Sequence, residues 1–109
     1  MIVALANTTY VRLLQLGANA HIVSFQNESD TDAIYLKCFA DQRAADAYIA
    51  ADGDNNDMLN EFLLPAASVA GQPTTLLIQA SGNDQSTVNR VWYAWQNSGG
   101  TINIRVTQW

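Results

Sequence analysis

Residues 20–40, AHIVSFQNESDTDAIYLKCFA, constrain the fold more than any other stretch of the chain. Two apolar runs flank a polar segment built from Asn27, Glu28, Ser29, Asp30, Thr31 and Asp32. In the first run Val23 and Phe25 alternate with Ile22, Ser24 and Gln26; in the second Ile34, Leu36 and Cys38 alternate with Tyr35, Lys37 and Phe39. A period of two is that of a β-strand, whose successive side chains point to opposite faces. The pattern predicts a β-hairpin. Both faces carry bulk, which predicts that one packs inside and the other meets a neighbouring subunit.

The same logic extends along the chain. Thr9 to Leu16 reads as a strand of imperfect alternation closed by Gly17 and Asn19, and Met1 to Ala6 as either a first edge strand or an arm that packs on a neighbour. Met58 to Leu64 is a strand ending at Pro65, and Thr74 to Ala80 is another. A last hairpin is predicted from Thr87 to Gln96 and Thr101 to Gln108 around Asn97, Ser98, Gly99 and Gly100. The run Gln42 to Ala51 differs: Ala45, Tyr48 and Ile49 have helical spacing, and Asp41 stands where an N-cap stands. Seven or eight short strands with turn signals between them predict an all-β, antiparallel β-sandwich, jelly-roll or Ig-like, with one short helix near residues 42–51.

Length and composition bound the function. The chain's 109 residues are expected to form one domain with one core, residues 1–7 serving as the arm if they leave the sheet. Apolar residues make up 49% of the chain and charged ones 14%, a balance that favours folding and predicts that copies of the chain cover part of its surface. The net charge of −5 repels phosphate backbones, so no direct nucleic-acid partner is expected. No apolar run approaches the roughly 20 residues that span a bilayer. The start MIVALANTTYVRLL lacks a basic segment ahead of its apolar one, so neither a membrane nor secretion is predicted. The sequons at Asn7 and Asn27 are then chance matches.

Candidates for chemistry are few. Cys38, in an apolar strand, reads as a small buried hydrophobe, and the lone His21 has no second histidine or thiol cluster beside it. Residues 52–57, DGDNND, place Asp52, Asp54 and Asn56 on the first three ligand positions of a calcium loop, but Asp57 stands at the glycine position and Leu63 at the bidentate-glutamate position. No metal, cofactor or catalytic residue is assigned, and no enzyme is expected. Trp92, Tyr93, Trp95 and Trp109 form an aromatic group able to stack on sugars or anchor a protein. Trp92, of opposite parity to Val91, Tyr93 and Trp95, is the interface candidate among them.

As a unit, FQNESDTDAIYLKCFA followed by FLLPAAS resembles small structural proteins of tailed bacteriophages, through Asn27, Ser29, Tyr35, Leu36, Lys37, Phe39 and Pro65. The resemblance covers about residues 20–70. It implies a β-sandwich that decorates or cements a capsid, a homotrimer bound to the major capsid protein, made in the host cytoplasm and located on the virion surface. The alternative is a head-fibre or tail module that binds a receptor or a glycan. Under either reading the interface candidates are Met1, Ile2, Val3, Leu5, Tyr35, Phe39 and Trp92.

Overall fold

The computed structural model describes residues 1–15, 22–52, 62–67, 72–79 and 91–108. Its elements are β1 (Ile2–Leu5), β2 (Val11–Gln15), β3 (Ile22–Asn27), β4 (Ile34–Phe39), α1 (Gln42–Asp52), β5 (Phe62–Leu64), β6 (Thr74–Gln79), β7 (Val91–Trp95) and β8 (Ile102–Gln108). His21, Trp109 and the DGDNND segment beyond Asp52, the last residue of α1, lie outside the described residues.

The strands form two four-stranded antiparallel sheets, ordered β1-β8-β3-β6 and β2-β7-β4-β5. First pairs with last, second with seventh, third with sixth and fourth with fifth, as in one long hairpin bent between β4 and β5 and rolled on itself. The contacts β3 to β8 and β4 to β7 close each sheet. An eight-stranded roll of this order is a jelly roll, which selects between the two sandwich types the spacing allowed.

Both predicted hairpins are overturned. β3 and β4 lie in different sheets, as do β7 and β8, so each polar segment arches across the sandwich instead of turning back along one sheet. Alternation fixes which residues share a face and leaves the partner strand open. Only a two-residue turn forces neighbouring strands to pair, and the connections here, 28–33 and 96–101, are long enough to cross the roughly 10 Å between sheets.

The intersheet core joins Leu5, Val23, Phe25, Ile104 and Val106 of the first sheet to Leu13, Ile34, Leu36, Leu64, Trp92 and Ala94 of the second. Trp92 is fully buried, its ring centroid 4.9 Å from that of Phe25 and 5.6 Å from that of Phe62. Cys38 is half-buried against the same core.

A second cluster lies on the opposite face of β4 and β7. Phe39, Val91, Tyr93 and Trp95 pack there with Ala45, Tyr48 and Ile49 of α1. The helix forms where expected. Its N-cap is Asp41, whose Oδ1 accepts from the Ala44 N–H at 2.8 Å, and Gln42 Nε2 donates to Asp46 Oδ1, one turn on, at 2.8 Å. An isolated helix of eleven residues is marginal in water, so its apolar stripe must dock to persist. The bulk on the second face of β4 therefore meets this chain's own helix, correcting the expectation that it meets a neighbouring subunit.

Candidate interaction surface

The two outer sheet faces differ. That of β2-β7-β4-β5 is roofed by α1, with Tyr35 and Tyr10 packed at its margin. The outer face of β1-β8-β3-β6 has no such cover among the described residues. Its register sets Ile2, Arg105, Gln26 and Thr75 side by side across all four strands, with Thr107, Ser24 and Leu77 in the next row. Gln26, Thr75, Thr107 and the buried Ser24 are polar and uncharged, and the Arg105 Nε to Glu28 Oε1 ion pair, at 2.7 Å, balances its own charge. Ile2 and Leu77 flank the face on opposite edge strands and are 51% and 56% exposed. A nearly neutral sheet face with apolar residues at both margins is suited to surface-to-surface contact.

Two buried side-chain amides hold the loops that frame this sandwich. Asn27, at the end of β3, donates from Nδ2 to the carbonyls of Asp32 (2.9 Å), Leu64 (3.1 Å) and Pro65 (3.2 Å), and its Oδ1 accepts from the Ser29 N–H at 2.8 Å. Ser29 Oγ in turn accepts from the N–H groups of Thr31 and Asp32. Gln96, just after β7, does the same work between other loops. Its Nε2 donates to Leu5 O (2.8 Å) and Gly100 O (2.7 Å), and its Oε1 accepts from the Ser98 N–H. Each amide closes a turn through its oxygen and fastens a distant strand through its nitrogen, leaving little of its hydrogen-bonding capacity unused in a fully buried site.

These contacts explain residues that sequence reading assigned elsewhere. Asn27 and Ser29, matched as a sequon and as part of the phage resemblance, build the β3–β4 arch; the engaged, buried Nδ2 leaves no room for a glycan. Gln96 was not singled out at all. The available signal was its place between an apolar strand and the Asn97 to Gly100 turn.

The interface candidates separate into exposed and internal. Met1 and Ile2 are exposed, Val3 and Tyr35 half-buried, and Leu5, Phe39 and Trp92 buried. Trp92 is a correction: its parity, opposite to Val91, points between the sheets, while the Val91 parity is sealed by α1. Residues 2–5 pair along β8 as an edge strand, the other of the two roles the sequence allowed them. Among the described residues there is no group of three His, Cys, Asp or Glu side chains placed to hold a metal, and no helix long and apolar enough to cross a membrane.

By its strand order the chain falls in the architectural class of eight-stranded jelly rolls, which serves capsid, lectin and enzyme functions alike. Comparison with models of known families, with curated proteins and with solved structures finds no match.

Proposed function

We propose that this chain is a non-enzymatic virion structural protein of a tailed bacteriophage, a decoration protein that binds the outer capsid surface and stabilises the shell. The observation that supports this reading is the asymmetry of the sandwich: one outer face is roofed by α1, and the other is uncovered among the described residues and nearly neutral, edged by Ile2 and Leu77. Its partners are the major capsid protein and other copies of the chain, with no role for nucleic acid or membrane. Many copies, each held by a modest contact, add up through multivalency to resistance against internal pressure.

The alternative, a head-fibre or tail module for a receptor or glycan, drew on ring faces of Trp92 and Trp95. Both are buried, so neither offers a stacking platform.

Copy number in purified particles of the phage that encodes the chain tests the reading. Hundreds of copies per particle, with shells that open at lower temperature when the protein is stripped and recover when it is added back, are the expected result. A handful of copies, or none, overturns it. Leu77→Lys, a change at an exposed position on the open face, is expected to leave the fold intact and weaken loading.

A further inference from the structure

The edges of the two sheets are not equally protected. Natural edge strands avoid pairing with other chains through short length, charges, prolines or irregular register. β5 has three residues and is followed by Pro65; β2 carries the exposed Arg12 and a register shift between Arg12 and Gln15. β6, TTLLIQ, follows Pro73 and is itself uncharged and of regular register. β1 reads IVAL, likewise with no charge, proline or bulge, and Ile2 lies exposed along it beside Met1, whose hydrogen bonds fix which groups of β1 face outward.

The hydrogen-bond phase of β1 shows which of its groups face outward. The main chain of Met1 donates to Val106 O at 2.9 Å and accepts from Val106 N at 2.7 Å. Such doubly bonded pairs recur at every second residue of an antiparallel ladder. Val3 and Leu5 therefore also spend their main-chain groups on β8, opposite Ile104 and Ile102. Ile2 and Ala4 turn theirs to the open edge.

We propose that this edge is a self-association site at which β1 of a second copy pairs antiparallel about a two-fold axis through Val3. In that register Ile2 of each copy faces Ala4 of the other, and those are the two residues with outward N–H and C=O groups. All four outward groups of each strand within β1 are satisfied. The bulky Ile2 meets the small Ala4 on the outer face, and on the inner face the partner covers the half-buried Val3 and the exposed Met1. A chain of net charge −5 must meet its copy away from its carboxylates, and β1 has none. A four-residue edge buries far less than the surface of a stable dimer, so the contact is weak in solution and strengthened where copies are crowded. The inference concerns self-pairing and holds whether or not the partner surface is a capsid.

Sedimentation equilibrium of the full chain, from about 10 μM to about 1 mM, the range where small interfaces associate, is expected to show monomer passing to dimer. Ala4→Pro removes an outward N–H and leaves every β1 to β8 bond in place, so it is expected to fold, by circular dichroism, and to weaken dimerisation at least tenfold. Val3→Cys, at a close non-hydrogen-bonded pair, is expected to cross-link two copies on mild oxidation in a Cys38→Ala background, and Ile2→Cys is not. A chain monomeric throughout the range overturns the proposal, as does a dimer or trimer unaffected by Ala4→Pro. Loss of shell loading by Ala4→Pro without self-association in solution also overturns it, by making a capsid strand the occupant of the edge.

Discussion

Replacing Asn27 tests the idea that a single buried amide sets the β3–β4 arch. The Asn27→Ala variant leaves the carbonyls of Asp32, Leu64 and Pro65 without this donor and the Ser29 N–H without its acceptor. A net hydrogen bond contributes about 1 kcal/mol, and a buried group left unpaired costs about 1–3 kcal/mol. Water reaches the partly buried Asp32 and Pro65 carbonyls, so the sum falls at about 2–4 kcal/mol. Against the about 5–15 kcal/mol of a typical domain that is a large share, and it lowers Tm by roughly 10–30 °C for a chain of this size. Asn27→Asp is sharper still, because it keeps the shape and the Ser29 contact but sets an oxygen against three carbonyl oxygens. The variant carboxyl is favoured protonated in the fold, so its ionisation value is raised above the about 3.9 of the unfolded chain. Its penalty is then smallest below about pH 4 and grows by about 1.4 kcal/mol per pH unit until the folded carboxyl ionises. Urea unfolding followed by tryptophan fluorescence at pH 4 and pH 7 reads both effects. An Asn27→Ala variant within about 0.5 kcal/mol of the parent, the scatter of ordinary surface changes, or an Asn27→Asp penalty equal at the two pH values, would refute the reasoning.

Trp92→Ala is expected to cost about 3–5 kcal/mol, since it empties a fully buried site between Phe25 and Phe62, and denaturant unfolding measures it. Asp41→Ala should cost about 1 kcal/mol by removing the α1 cap, whereas Asp41→Asn keeps an acceptor and changes little; thermal melts separate the two. Thr8 holds a positive φ of 51°, a conformation that strains a β-branched residue. Thr8→Gly is expected to stabilise by about 0.5–1 kcal/mol, relief of strain outweighing the added chain entropy, and a lower Tm speaks against it.

The sequence reading found the strands and missed how they are joined. Alternation in β3 and β4 grouped Val23 with Phe25 and Ile34 with Leu36, the sets that face inward, because the period of a strand is a local property; which parity is inward it left open. Pairing is not local: what brings β1 beside β8 is the shared need to bury Leu5 and Ile104, and nothing near either strand encodes it. The same limit misplaced Trp92. The two parities of β7 could be read, but both are apolar, and only the docking of α1 reveals that each has its own cover within the chain. Helix and cap were legible because Asp41, Ala45, Tyr48 and Ile49 interact within a few residues. The open face was not, since it gathers Ile2, Gln26, Leu77 and Arg105 from four separate strands.

The pairing of first strand with last also governs the order in which the molecule can be completed. At ribosomal rates of about 5–20 residues per second, the roughly 100 residues between β1 and the end of β8 take about 5–20 seconds to appear. Throughout synthesis β1 waits without its partner, and on a crowded polysome the nearest equivalent strand belongs to the next nascent chain. An edge strand with few safeguards is thus made well before its one strand partner, which makes translation itself a stage at which this roll is open to mispairing.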